Sequence, residues 1–166
     1  MMQLHDKVYV PEGVLEIRLY DAQGRLQDYV VGRNMVVNDG REALARLLGN
    51  DGTQDWFVDT MKFGDGGHNP ANPAEMVEVF VTDTDLYGTI HISKDVTGVG
   101  TTFPSTKKVT FTASVEAAEG NGAGTLEYSE AGLYYDGGNS MFAHKAFGYI
   151  IKNDTMRIVA TWTFTF

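Results

Sequence analysis

The stretch TMRIVATWTFTF at residues 155–166 alternates apolar and polar side chains. Its apolar face would consist of Met156, Ile158, Ala160, Trp162, Phe164 and Phe166. Successive side chains of a β-strand point to opposite faces of the sheet, so a period of two predicts a strand with one buried face. We therefore expect the C-terminal stretch to be a core strand.

The same alternation recurs along the rest of the chain. At 107–117, apolar Val109, Phe111, Ala113 and Val115 alternate with polar or charged residues, which predicts one buried and one wet face. Further strands are predicted at 14–20, 25–31, 56–63, 125–135 and 141–152, and less regular ones at 80–86 and 87–93. Residues 21–24 end in Gly24 and predict a hairpin turn between the first two strands.

One short helix is predicted at residues 38–48. Asn38 or Asp39 is a suitable N-cap, Glu42 stands three residues after Asp39 as in a capping box, and Gly49 ends the segment. An apolar stripe is formed by Leu44, Leu47 and Leu48. Because a helix of about three turns is marginal alone, we expect this stripe to pack on a sheet.

About nine strands with one helix and no alternation of strands and helices predict an all-β, mainly antiparallel fold. We expect a β-sandwich, jelly-roll-like or immunoglobulin-like. The chain has no internal repeat or linker. Residues 13–166 are therefore predicted to form a single domain, preceded by an N-terminal arm at 1–12.

Composition excludes several functions. The 166 residues carry 22 acidic and 13 Lys or Arg side chains, a net charge of −9, which opposes nucleic-acid binding. The absence of cysteine excludes thiol catalysis and thiolate metal sites, and fits assembly in a reducing cytoplasm. No apolar stretch reaches the roughly 18 residues of a membrane span, and the N-terminus lacks a signal-peptide core, so membrane insertion and export are not expected.

No pattern predicts catalysis. The four histidines show no helical ligand spacing and are interpreted as surface or turn residues. The glycine-rich residues 64–67 lack the Lys and Ser or Thr of a phosphate loop. Asp65, Asp83 and Asp85 are candidates for a calcium site or an acid–base pair, but solvated side chains are the favoured interpretation. We expect no catalytic residues, no cofactor and no metal.

Glu130 precedes the largely apolar run at 131–135 on a predicted strand. A carboxylate buried there requires compensation. We expect it to accept hydrogen bonds from backbone N–H groups or to pair with a Lys or Arg, in a structural role. Ser129 beside it lacks the Gly-x-Ser-x-Gly pattern of a hydrolase nucleophile.

Two segments resemble a family of tailed-bacteriophage virion proteins that includes the collar and attachment domains of tail fibres. Residues 61–67 are similar to that family's strand ending in a Gly-Asp-Gly turn, followed here by an Asn- and Pro-rich loop. Residues 129–138 are similar to its Glu-x-Gly-Leu-Tyr strand and glycine turn, with 141–152 as the returning strand. The residues that define the resemblance are Gly64, Gly66, Glu130, Gly132, Leu133 and Tyr134.

The resemblance implies a non-enzymatic structural component of the virion. Fibre proteins of this kind continue into a long shaft, whereas this sequence stops at Phe166. That difference favours a small exterior subunit of the tail or baseplate, or a capsid decoration protein. The implied partners are other virion proteins and further copies of the chain, with a trimer as the preferred oligomer.

The expected means of assembly are the N-terminal arm, which could add along a neighbour's sheet edge or pack on its own domain, and the loop at 64–73. The candidate interface residues are Leu4, Val8, Tyr9 and Val10 in the arm, and Asp65, His68 and Asn69 in the loop. The alternative function is a carbohydrate-binding module that stacks sugars on aromatic rings. Its candidate platform is Trp56, Tyr87, Tyr134, Tyr135 and Tyr149.

Overall fold

The computed structural model describes residues 11–166, apart from the side chains of Pro73 and Ala74. The strands of the first half are β1 (Glu12–Tyr20), β2 (Leu26–Arg33), β3 (Met35–Val36), β4 (Val58–Gly64), β5 (His68–Asn69), β6 (Asn72–Met76) and β7 (Ile90–Asp95). Those of the second half are β8 (Thr101–Ser105), β9 (Lys108–Val115), β10 (Thr125–Tyr135), β11 (Ser140–Asn153) and β12 (Arg157–Thr165). The helix α1 is Asn38–Leu48, and a single 3₁₀ turn lies at Gly98–Gly100.

The strands form two five-stranded antiparallel sheets that pack face to face. The first has the order β2-β1-β12-β9-β8 and the second the order β3-β11-β10-β4-β7, while β5 and β6 form a separate small hairpin. The inner faces of both sheets share one apolar core. The prediction of an all-β, antiparallel sandwich with one helix is confirmed.

The C-terminal strand β12 lies in the centre of the first sheet. Trp162 pairs with Leu15 of β1 on one side and with Phe111 of β9 on the other. Its side chain and that of Phe164 are fully buried. The predicted core role of this strand is confirmed, except that Phe166 lies beyond its last residue and is 60% exposed.

Helix α1 packs differently from the prediction. Its N-cap is Val37, which makes no capping hydrogen bond, so the predicted capping box is wrong. Leu48 is 90% exposed and Leu47 is half exposed, so of the predicted leucine stripe only Leu44 packs against the core. The buried positions are Gly40 and Ala43, because the helix approaches β11 so closely that a Cβ at Gly40 would lie 2.1 Å from the carbonyl oxygen of Phe142.

Several strand boundaries also differ. Residues 80–86 contain no strand, and the strand predicted at 87–93 begins only at Ile90. The predicted loop 64–73 contains β5 and the start of β6. Strand β1 begins at Glu12, inside the predicted arm, and residues 1–10, with Leu4, Val8, Tyr9 and Val10, lie outside the described residues.

Candidate functional site

The two segments that define the resemblance are neighbours in the second sheet. Strand β4 pairs with β10 so that Gly64 stands opposite Glu130 and Lys62 opposite Gly132. The turn that follows β4 folds back over Glu130. Pairing of β4 with β10 therefore joins the glycine turn to the buried carboxylate in one cluster.

Glu130 is fully buried and lies at the centre of this cluster. Its Oε1 accepts hydrogen bonds from the backbone N–H of Gly66 (2.9 Å) and of Gly88 (2.8 Å). Its Oε2 accepts one from the backbone N–H of Tyr87 (2.9 Å). The predicted partnership with backbone N–H groups is confirmed, whereas the side chain that contacts the carboxylate is His144, not a Lys or Arg.

His144 on β11 is fully buried, so its assignment as a surface or turn residue is wrong. Its Nε2 lies 3.1 Å from Glu130 Oε2, and its Nδ1 lies 2.9 Å from Asp83 Oδ2. An ionised carboxylate can only accept hydrogen bonds. Both ring nitrogens donate only if His144 is in its imidazolium form.

Asp83 is held in the loop between β6 and β7, and its side chain is 8% exposed. The hydroxyl of Tyr87 donates to it at 2.7 Å and the backbone N–H of Phe80 at 2.9 Å. Asp85 accepts a hydrogen bond from the hydroxyl of Tyr134 at 2.5 Å. The interpretation of Asp83 as a solvated side chain is therefore wrong.

Hydrogen bonding outweighs burial at both carboxylates. Burial alone would raise the pKa of Glu130, but donors from His144 and from the backbone of Tyr87, Gly88 and Gly66 hold that pKa below its usual value. At Asp83 burial likewise opposes ionisation, yet the donors from Tyr87, Phe80 and His144 lower the pKa. Burial and the hydrogen bond to Asp83 raise the pKa of the Tyr87 hydroxyl. The cluster thus consists of two ionised carboxylates around one histidine.

Glycine is required where the loops meet over Glu130. A Cβ at Gly66 would lie 2.2 Å from the backbone nitrogen of Gly88, and a Cβ at Gly67 would lie 1.8 Å from the carbonyl oxygen of Ser129. Both distances are shorter than any real contact allows. The glycines therefore let the 65–67 turn and the 86–89 loop share one carboxylate.

Two of the three candidate interface residues of the 64–73 segment, Asp65 and His68, line a surface cleft of about 730 Å³. Asp65 accepts hydrogen bonds from the backbone N–H of Thr89 (2.7 Å) and lies 2.8 Å from His91 Nε2. The side chain of His68 is nine-tenths buried, with its ring 5.6 Å from that of Tyr149. The Asn69 amide donates to Glu75 at 3.1 Å. Their part in an interface stays a prediction.

The buried cluster contains the residue types of an acid–base site, but its central side chains are not accessible from the surface. Glu130 and His144 are both fully buried. The neighbouring hydroxyl of Ser129 is also buried and accepts a hydrogen bond from the N–H of Gly67 at 2.9 Å. Within residues 11–166, no three His, Asp or Glu side chains are arranged to hold a metal ion. The geometry therefore fits a structural link between β10, β11 and two loops.

The aromatic platform of the carbohydrate hypothesis does not form as predicted. Trp56, Tyr134 and Tyr135 are all buried in the sandwich. Tyr87 and Tyr149 are each 41% exposed, and both stand near His68: Tyr87 lines the same cleft and Tyr149 packs against the ring. The only two predicted platform residues that reach the surface are therefore near one another.

A second cleft, which we call the end cleft, opens at the end of the sandwich where β4, β9 and β11 begin and β12 ends. Its volume is about 680 Å³. Buried Phe111, Phe142 and Phe164 contribute to its lining, together with α1, β8 and the segment before β4. Sequence reasoning missed this cleft because its apolar residues come from six separate parts of the chain.

No protein family, curated protein or solved structure gives a significant match to the chain. The helical segments of residues 11–166 fall short of the length and apolarity that crossing a membrane requires. The functional assignment therefore depends on the residues and their geometry.

Proposed function

We propose that the chain is a non-enzymatic structural subunit of a tailed-phage virion that acts by protein–protein assembly. The preferred position is on the exterior, as a tail or baseplate accessory or as a capsid decoration protein. Assembly takes place in the host cytoplasm, and the subunit works as a homo-oligomer, with a trimer preferred. Its proposed partners are other virion proteins.

The observation that best supports this proposal is the end cleft and its exposed aromatic rim. Phe103 is 76% exposed and Phe166 60% exposed, and Phe57 and Leu47 are each about half exposed beside them. Contiguous apolar surface of this kind is rare on monomers and marks sites of protein association. Covering this surface with another chain would remove several aromatic side chains from water.

The buried cluster supports the same proposal from another direction. The side-chain oxygens in the cluster accept hydrogen bonds from other groups of the same chain, as at Glu130, Ser129 and Asp83. The residues that define the phage resemblance therefore stabilise a fold and leave no free reactive group in the cluster. The net charge of −9 also disfavours the packaged nucleic acid as a partner.

Incorporation into particles tests the proposal. The chain is labelled and expressed in an infected host, and mature virions are purified and imaged for wild type, Phe103→Asp and a control, Leu26→Asp. Leu26 is 53% exposed on the opposite edge strand β2. Wild type and control should be present on particles, and Phe103→Asp should be depleted at least about tenfold, the effect of losing about 1.4 kcal/mol of binding. A wild-type chain that is absent from mature particles would refute the proposal.

A second candidate function, sugar binding, is favoured by the position of Tyr87 and Tyr149 near the 730 Å³ cleft. A glycan array probed with wild type and Tyr149→Ala tests it. Sugar binding predicts a saccharide that binds wild type and loses affinity for the variant. Equal binding by both proteins, or none, would exclude Tyr149 from a sugar site.

A further inference from the structure

We infer that the end cleft accepts the N-terminal segment, residues 1–10, of a second copy of this chain, added as an extended strand along β8. This inference rests on the proposed function, because it names the partner that covers the assembly surface. Four properties of the described residues support it: the shape of the cleft, the free edge of β8, the charge of the rim and the direction in which the chain leaves β1.

The end cleft has the size and character of a receptor for apolar side chains. A volume of about 680 Å³ holds several of them, and the lining is mostly aromatic and aliphatic. Phe111 and Phe164 contribute buried rings, while Phe103 and Phe166 stand exposed beside them. An apolar segment placed there would bury rings that the described part of the chain leaves in water.

Strand β8 supplies a free backbone edge beside this cleft. Among residues 11–166 it is the last strand of its sheet and pairs with β9 on one side only, through Thr101, Thr102 and Ser105. Thr101, Phe103 and Ser105 also line the cleft. An extended peptide can therefore bond to the backbone of β8, except at the nitrogen of Pro104, which has no hydrogen to donate, and direct alternate side chains into the cleft, as in strand addition.

The N-terminal segment has the matching composition. Residues 1–10 read MMQLHDKVYV, in which Val8, Tyr9 and Val10 are residue types that favour strands. Asp6 would complement Lys107 and Lys108, the two basic residues that line the cleft. Ten extended residues reach about 33 Å, which exceeds the length of β8.

The start of β1 indicates that the segment enters a neighbour's cleft. Glu12 pairs with Thr165, so β1 starts at the end of the molecule where the cleft opens. Pro11 faces a separate hollow with Met35 and Arg41, on the β3 side and not on the β8 side. Proline also restricts the preceding residue to extended conformations, which disfavours a tight reversal toward the chain's own cleft.

Segment and cleft at one end of the molecule allow a closed exchange. If each copy gives its segment to the next and receives one from the previous, the repeated contact closes into a ring when the rotation between copies is a simple fraction of a turn. Such a ring satisfies every cleft, and it agrees with the small homo-oligomer of the proposed function.

Disulfide trapping in the full-length chain tests the inference, since the sequence contains no cysteine. Two single variants, Val8→Cys and Phe103→Cys, carry different tags and are mixed under mild oxidation. We expect a mixed disulfide-linked dimer that forms at least about tenfold faster than in the control mixture, because docking raises the effective thiol concentration to the order of mM. The control pairs Val8→Cys with Leu26→Cys, an exposed position on the opposite edge of the same sheet.

Two outcomes would overturn the inference. Equal trapping in both mixtures, or none, would show that the segment does not enter the cleft. A double variant, Val8→Cys/Phe103→Cys, that closes an intramolecular disulfide and stays monomeric would show that the segment covers its own cleft.

The particle experiment separates this failure from failure of the proposed function. If trapping fails but Phe103→Asp is still depleted from virions, the inference falls and the cleft binds another virion protein. If trapping succeeds but the chain is absent from virions, the proposed function falls, and the exchange between copies stands alone.

Discussion

Glu130 is the residue on which the fold of the motif region depends most. Three backbone N–H groups and His144 converge on one fully buried carboxylate. A buried charge is costly once any partner is removed, because the remaining groups keep their desolvation cost without compensation. Changes at this position should therefore have large effects on stability.

Glu130→Gln should lower the free energy of unfolding by about 3–5 kcal/mol, the usual cost of breaking a buried charged pair. The amide replaces one acceptor oxygen with a donor that faces N–H groups. Urea unfolding measures the change. Glu127→Gln is the matched control on the same strand, because its side chain is half exposed, and it should change stability by less than about 0.5 kcal/mol. If Glu130→Gln lowers the free energy of unfolding by less than about 1 kcal/mol, as a surface substitution does, the structural role of Glu130 is contradicted.

The same cluster should make stability fall in acid. The pKa values of Glu130 and Asp83 are lowered by folding. Their contribution is therefore fully present above the unfolded pKa values, about 4.3 for Glu and 3.9 for Asp, and is lost as the pH falls through the folded values. Urea unfolding from pH 7 to pH 3 should show the decline, with a shallower slope for Glu130→Gln. If stability falls with pH equally in wild type and Glu130→Gln, ionisation of Glu130 is excluded as a source of the acid dependence.

The sequence predicts that Glu130 is buried and accepts hydrogen bonds from backbone N–H groups, but not which residues supply them. A carboxylate followed by an apolar run indicates burial, and burial indicates backbone donors. His144 reaches Glu130 only because β11 pairs with β10. Tyr87 and Gly88 lie in a loop whose sequence has no apolar periodicity. Their convergence depends on tertiary structure, which local patterns do not contain.

At the scale of elements, alternation predicted the long strands well and short elements poorly. Strands β1, β9 and β12 follow the period of two because one face of each is buried. Strands β10 and β11 are buried on both faces over much of their length and are predicted from their apolar runs and flanking turns. Strand β3 has two residues and is defined by its pairing with β11. The helix has the predicted bounds, but its buried face differs, because the fully buried positions are the small Gly40 and Ala43 whereas hydrophobicity indicated the leucines.

The central position of β12 makes it indispensable. Trp162→Ala should cost about 3–5 kcal/mol of stability, because a fully buried ring leaves a cavity between β1 and β9. Phe166→Ala, on the same predicted face but 60% exposed, should cost less than about 1 kcal/mol. Thermal unfolding of the two variants measures the contrast. Equal losses of stability in the two variants would contradict the assignment of Trp162 to the core.

Deletion of residues 160–166 should abolish soluble expression. It removes the middle of the first sheet, including Trp162 and Phe164, from a domain whose net stability is of the order of 5–15 kcal/mol. The soluble fraction after expression measures the effect. A truncated chain that melts cooperatively near the parent temperature would contradict the prediction.

At the scale of the whole molecule, the polar and apolar features are separated. The glycine motif and its buried cluster lie where β4 ends, and the end cleft lies where β4 begins. One end is thus fixed by hydrogen bonds within the chain, and the other carries the exposed aromatic residues Phe103 and Phe166.

Quantitative mass spectrometry of gradient-purified virions tests the central claim most directly. A structural subunit should be present at a fixed ratio to the major capsid protein in independent preparations, and a high-salt wash should leave that ratio unchanged because an apolar interface is insensitive to screening. A chain that is absent from the particles, or whose ratio varies between preparations and falls on washing, would contradict the assignment as a virion component.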